Sequence, residues 1–222
     1  MLFPSLKPFF FRFVLLILCG VGSLLLVQCG KDEVPLPALR SDLLLARTNA
    51  QGVVTQLITD EGESLQPVHS IRGSRSDTTY RVLAVYHRLE ASTQVEVRQL
   101  VRIPTAPPVV MDEQQLQTAP IQLLSLWKSK TFLNLRFGIP KSFSGHHTIG
   151  WAFRGIIQHA DGHRLLRLQL YHNAHDDRND YYEDAYLSCP LQPFAQWLTA
   201  GRDSIVLDVN TYQGQHTAVF PF

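Results

Sequence analysis

An all-β chain in two modules is what these 222 residues predict. Three observations carry that prediction. Short runs of β-branched and aliphatic residues alternate with polar ones, the period of a half-buried strand. Clusters of glycine, proline and acidic residues separate the runs at turn spacing. Beyond the leader, no stretch sustains the apolar stripe that a long helix needs to bury one face.

The leader comes first. Residues 1–12 carry only Lys7 and Arg12 as charges, and Phe13 to Val27 is an uncharged run of fifteen positions. Such a run is shorter than the ~20 apolar residues of a membrane-spanning helix. A basic start followed by a short apolar core reads instead as a secretory signal over residues 1–28. Residues 29–39 then form a tether, stiffened by Val34-Pro35-Leu36-Pro37, which reaches ~3 Å per residue where extended.

The first module spans residues 40–104. Its strand-like runs are Leu43 to Arg47, Val53 to Thr59, Val82 to His87 and Val95 to Ile103. In the last of these, Val95, Val97, Val101 and Ile103 share one phase while Glu96, Arg98 and Arg102 take the other. "TDEGES", between Ile58 and Leu65, supplies the turn of a hairpin. Several short strands of this kind make a small barrel or a sandwich. Residues 105–120, flanked and broken by Pro104, Pro107, Pro108 and Pro120, read as a linker, because proline cannot feed a central sheet ladder.

The second module, residues 121–222, has longer strands. Leu133, Leu135, Phe137 and Ile139 alternate with Asn134, Arg136 and Gly138, and Ile205, Leu207 and Val209 repeat the pattern. Between them lies a hairpin whose Asp161-Gly162 suits a two-residue loop. That loop would set Ile157 opposite Leu166, Gly155 opposite Leu168, Phe153 opposite Leu170 and Trp151 opposite His172, with His159 and His163 on opposite faces. One short helix is expected over 193–199, where Phe194, Trp197 and Leu198 stand at helical spacing before Gly201. Trp151 and Trp197 are thereby placed in the core.

Two resemblances extend this reading. Leu26, Val27 and Gln28 before Cys29 resemble the lipobox of bacterial lipoproteins, which implies a diacylglyceryl group on the Cys29 thiol and an anchor in the membrane through acyl chains. Lys31-Asp32-Glu33 resembles the signal that sends some lipoproteins to the outer face of the outer membrane. The second likeness rests on "LITDEGESLQP", "TFLNLRFGIP", His147 and "LQLYHNAHDD". Through these the chain is similar to the NigD-like lipoproteins. That resemblance implies a small N-terminal OB-like barrel followed by a C-terminal antiparallel β-sandwich, and a presumed bacteriocin-immunity role. It brings no catalytic residues.

The remaining chemistry is sparse. With the leader removed, eighteen basic residues face nineteen acidic ones, so there is no electrostatic footprint for nucleic acid. Cys19 leaves with the leader and Cys29 is acylated, which leaves Cys189 as a lone thiol without a disulfide partner. Histidines and acids crowd the second module, and His172, His175 and Asp176 are the alternative reading as metal ligands for a hydrolase, although no tight ligand spacing occurs. "DDRNDYYED" lacks the glycine and spacing of a calcium loop. Ser144 lies near His146 but in no nucleophile elbow. No cofactor is expected. The expected activity is to bind another protein without catalysis, with Trp127, Tyr181 and Tyr182 as candidate contacts, and the alternative is a glycan ligand at Trp127 or Tyr181.

Overall fold

The computed structural model describes residues 38–178 and 180–222; Cys29 and the rest of the leader and tether lie outside the described residues. Five strands close a barrel: β1 (Leu39–Thr48), β2 (Val54–Ile58), β3 (Ser64–Pro67), β4 (Thr79–Arg88) and β5 (Gln94–Arg102). They follow the order β1-β2-β3-β5-β4, and β4 returns antiparallel onto β1 from Leu39↔His87 to Arg47↔Thr79. The β3–β5 pair is parallel. This is the OB arrangement, in which closure removes the free edges.

Leu44, Ala46, Val54, Leu57, Leu65, Val82, Ala84, Tyr86 and Val95 fill the barrel. The four runs read from the sequence correspond to β1, β2, β4 and β5. The "TDEGES" hairpin forms as read, with the Thr59 N–H donating to the Glu63 carbonyl at 2.9 Å and the Gly62 N–H to the Thr59 carbonyl at 3.0 Å. β3, the second strand of this hairpin, is only four residues long, with Leu65 as its one aliphatic side chain, and so carries no alternation of its own. The phase expected for β5 breaks at Arg98. There Val85 pairs with Gln99 but Tyr86 pairs with Val97, so Arg98 is an extra residue. Such a bulge reverses the facing of all that follows. Leu100 consequently packs against the core while Val101 is exposed.

The second module packs two sheets face to face. One has the order β13-β12-β10-β9-β6 and the other β11-β8-β7, formed by β6 (Val109–Val110), β7 (Gln122–Lys128), β8 (Phe132–Lys141), β9 (Thr148–Gln158), β10 (Arg164–Asn173), β11 (Tyr181–Pro190), β12 (Ser204–Thr211) and β13 (Gly214–Pro221). Leu133, Leu135, Phe137 and Ile139 of β8 meet Ile205, Leu207 and Val209 of β12 in one core, as their alternation requires. The sandwich is not purely antiparallel. β10 and β12 run parallel, as do β6 and β9. The first pair follows from β11, which crosses to the other sheet and so returns the chain in its original direction.

The β9–β10 hairpin corrects the expected register twice. Leu165 faces Ile157 and Arg167 faces Gly155, which makes the loop three residues long, Ala160 to Gly162, with Gly162 at φ 82. Three-residue hairpins place glycine at that left-handed position. A second shift follows, since Leu168 faces Phe153 and Leu170 faces Trp151. Arg154 is the extra residue, next to Gly155 at φ 108. The two shifts together restore the expected facing of Trp151 and Phe153 and turn Ile156 inward, leaving Ile157 exposed. The shorter register also brings His159 and His163 together, with ring centroids 5.4 Å apart, where opposite faces had been expected.

Two further expectations change. Residues 105–120 do not hang free between modules: β6 pairs with β9, Thr105 bridges Ser188 and Thr118 bridges His172. Edge positions tolerate the prolines, whose missing N–H faces away from the ladder. The helix expected over 193–199 is a 3₁₀ turn at Gln192–Phe194. It ends early because the Asp203 carboxylate accepts from the Thr199 N–H at 2.7 Å and from the Arg164 N–H at 2.8 Å, tying the segment to β10. Phe194 and Leu198 still enter the core, but Trp197 is 47% exposed, so its core placement is corrected.

Candidate functional site

The outer face of the three-stranded sheet brings most of the functional candidates together. On β8 the odd residues fill the core, so Asn134, Arg136 and Gly138 face outward. Trp127 of β7 and Ser188 of β11 lie opposite Asn134, Ser125 and Tyr186 lie opposite Arg136, and Gln122 and Asp184 lie opposite Gly138. Tyr182 is on the same outward phase, 61% exposed. It lies over Gly138, where a Cβ would be 3.6 Å from its ring and 3.0 Å from Gln122 Oε1. Tyr181, 46% exposed, takes the inward phase beyond the end of the core. The sheet therefore joins Trp127 and Tyr182 on one surface and sets Tyr181 apart.

The barrel covers one end of this surface through Arg81. Its guanidinium grips Asp60 with both terminal nitrogens, Nη2 to Oδ2 at 2.7 Å, reaches Asn134 Oδ1 at 3.3 Å and lies 4.1 Å from the centre of the Phe132 ring. Asn134 Oδ1 also accepts from the Ser188 hydroxyl at 2.8 Å. A bidentate pair of this kind is both strong and directional. It makes a charged clasp between β4, the β2–β3 turn and the sandwich. Nothing in the sequence marks Arg81, since an arginine on the outward phase of a strand is ordinarily solvated.

Beside the clasp a cleft of about 620 Å³ opens between barrel and sheet. Trp127, Arg136 and Tyr186 form its floor, and Arg40, Asp42, Glu61 and Tyr86 line the barrel side. Arg136 pairs with Asp184 at 2.8 Å, which raises its pKa, and lies 5.8 Å from the Tyr186 ring centre. Burial, then the hydrogen bond donated to Asp42, pushes the Tyr86 hydroxyl up to about 12. Tyr86 thus remains a donor at any physiological pH.

The histidine-rich end is organised differently from the alternative metal set. His172 is buried, but it bonds to Ala119 in the segment before β7, rather than to the loop after it, and to His147. His175 bonds Thr148 instead, at 2.9 Å. The set His172, His175 and Asp176 therefore does not converge. No group of three or more His, Cys, Asp or Glu is placed to hold a metal ion among the described residues. Three acids of the "DDRNDYYED" stretch have protein partners: Asp177 accepts from Ser142 and meets His147, Glu183 pairs with Lys141 and Asp184 with Arg136. The meeting of His147 with His172 was not foreseen, because 25 residues separate them in the chain.

Cys189 is buried in the sandwich core, and desolvation pushes its thiol up to about 12. A thiol so far from its thiolate is a poor nucleophile. It is expected to resist alkylation in the native protein and to react fully in denaturant. Prompt labelling of native protein by a thiol reagent would contradict this burial.

Residues 103–222 match the family described as NigD-like C-terminal beta sandwich domain, a span that takes in the segment laid on the sandwich before β7. No curated protein matches the chain. Among solved structures, a NigD-like immunity protein from Bacteroides caccae is similar at 22% identity and TM-score 0.64, over 83% of this chain and 93% of that one. A protein of unknown function from Bacteroides vulgatus is similar at 18% identity and TM-score 0.68, over 83% and 91%. A lipoprotein candidate from Bacteroides fragilis is similar at 13% identity and TM-score 0.56, over 83% and 97%. At these identities the likeness is one of fold, and it extends over barrel and sandwich together. No helix among the described residues is long and apolar enough to cross a membrane.

Proposed function

Because the chain belongs to the NigD-like family, we propose that it is a non-catalytic protein of the cell envelope, held to the outer membrane by acyl chains on Cys29, that binds another protein in the manner of an immunity factor. The observation that carries the binding role is the outer sheet face, where Trp127, Arg136 and Tyr186 stand together beside the barrel and Tyr182 lies farther along the same face. Tryptophan, tyrosine and arginine are the residues that dominate protein interfaces, since each joins a large rigid contact area to a polar handle. The immunity label belongs to the Bacteroides caccae neighbour, and its transfer to this chain is part of the proposal.

A crosslinking amino acid placed at Trp127 or Tyr182 in cells is expected to capture the same protein from both positions. Trp127→Ala and Tyr182→Ala are each expected to weaken that partner by roughly 2 kcal/mol, about thirtyfold. Adducts at neither position, with glycan-array binding that Trp127→Ala abolishes, would move the assignment to a carbohydrate ligand. The cleft favours that second reading in one respect, because Trp127 and Tyr186 offer flat rings beside paired donors and acceptors. Mass spectrometry of the membrane fraction is expected to find Cys29 as an acylated N-terminus, and Cys29→Ser to release the protein. An unprocessed leader on soluble material would remove the anchor.

A further inference from the structure

We propose that the loop end of the sandwich is clamped by one proton held in a buried chain, Asp177–His147–His172, so that the order of the loops at 142–147 and 174–178 depends on pH. This inference is independent of the docking face.

The hydrogen-bond geometry sets how many hydrogens this chain of groups must hold. His172 Nδ1 lies 2.9 Å from the Ala119 carbonyl oxygen, an acceptor only, so Nδ1 carries hydrogen. The backbone pins this residue as well: its N–H donates to the Gln117 carbonyl at 2.8 Å and its carbonyl accepts from the Ala119 N–H at 2.9 Å. His172 Nε2 lies 2.8 Å from His147 Nδ1, and one hydrogen, carried by either ring, fills that contact. The other nitrogen of His147, Nε2, lies 3.1 Å from Asp177 Oδ2. That carboxylate is already an acceptor, from the Ser142 N–H at 3.1 Å and from the Ser142 hydroxyl. These three contacts need three hydrogens, one more than two neutral imidazoles bring to an ionised Asp177, and because burial disfavours a charge on His172 the extra proton belongs on His147. The two side chains are 6% and 5% exposed, too enclosed for bulk water to replace either bond.

The surroundings support this distribution. The Ser142 hydroxyl, then its N–H and His147, hold the Asp177 carboxyl down at about 2, against the opposing effect of burial. Burial lowers the His172 pKa, with the Ala119 carbonyl opposing and His147 adding to the shift. The other titratable groups nearby belong to the same loops and their strands: His146 and His175, whose rings lie 5.5 Å apart, Asp176 and Arg178 along the adjoining cavity, and the Lys141–Glu183 pair.

The chain joins the β8–β9 loop, the end of β10, the β10–β11 loop and the segment before β7. On the alkaline side, loss of the extra proton leaves one contact of the chain with two acceptors facing each other, and the loops separate. On the acid side, His172 is neutral when folded and has a lowered pKa. Its contribution is therefore complete above the ordinary imidazole range and declines as pH falls below it, because a protonated His172 would turn an N–H toward the N–H of His147. Asp177 remains ionised down to about 2, so it does not open the clamp in mild acid.

Nitrogen-15 NMR of the imidazole rings across pH tests this directly in the full chain. At neutral pH, His147 is expected to show two protonated nitrogens and His172 one, at Nδ1. Backbone amides at 142–147 and 174–178 are expected to exchange about tenfold faster once the chain loses its extra proton. Asp177→Asn removes the charge that holds the second hydrogen, and should leave His147 singly protonated at neutral pH with loop exchange no longer stepping at that titration. Ser142→Ala keeps the charges and should retain the step. A wild-type His147 ring carrying a single hydrogen at neutral pH would overturn the proposal without reference to any variant, as would an Asp177→Asn protein whose loops still follow the wild-type profile.

Discussion

Asp60→Ala is expected to lower stability by about 3–5 kcal/mol, because it strands a buried guanidinium without its counter-charge. The Arg81 side chain is fully buried, whereas that of Asp60 is 11% exposed. This asymmetry orders two substitutions that remove the same ion pair. Arg81→Met leaves Asp60 a route to hydration and keeps an apolar group over Phe132, so its cost should be smaller, about 1–2 kcal/mol. Arg81 Nε already has no partner in the clasp, which makes the apolar replacement easier to tolerate. Urea unfolding of the two variants checks the order. Arg81→Met being the more damaging of the two would mean that the clasp acts through its cation's contacts rather than through charge compensation.

The second large effect is expected at Trp151. Its side chain is fully buried between the sheets, opposite Leu170 on β10 and within the cluster that contains Leu166, Leu168 and Ile205. Trp151→Ala should cost about 3–5 kcal/mol, because the two sheets cannot close over the space of an indole. Trp151→Phe should recover much of that loss. It also removes the buried indole N–H, which has no protein acceptor, so the polar atom itself adds little to stability. Thermal unfolding checks the pair, and an alanine variant within 1 kcal/mol of wild type, well below the range above, would show that the core collapses around the site.

These residues also show how far the amino-acid order could be read. The core faces of β8 and β12 were legible because a strand alternates with period two whatever lies around it, and Leu133 to Ile139 announce their face without help. The "TDEGES" turn was legible for a similar reason, since its acid and glycine chemistry acts within six residues. The β9–β10 register was not. Its inward set includes Trp151, Phe153 and Ile156, an interrupted alternation that only the bulge at Gly155 reconciles. Trp197 was misplaced because helical spacing was assumed for a segment that Asp203 draws back toward β10.

For the candidate site, Trp127 and Tyr182 were recognisable as contact residues by type, but their common surface follows from pairing across β7, β8 and β11. Arg81, Asp60 and Asn134 carried no sign of their association. Nor did His147 and His172.

By itself the amino-acid order determined that this chain is all-β, where most of its strands run, which of their faces are apolar, and the family it resembles. These are local properties, written in the spacing of neighbouring residues. The tertiary structure decided what covers each polar face: whether an arginine is solvated or clasped, whether two histidines meet, and whether a proline-rich stretch links modules or lies on a sheet. The physical reason is that the energy of a charge or a ring nitrogen depends on the group opposite it and on the water excluded between them, and both are supplied by residues far away along the chain.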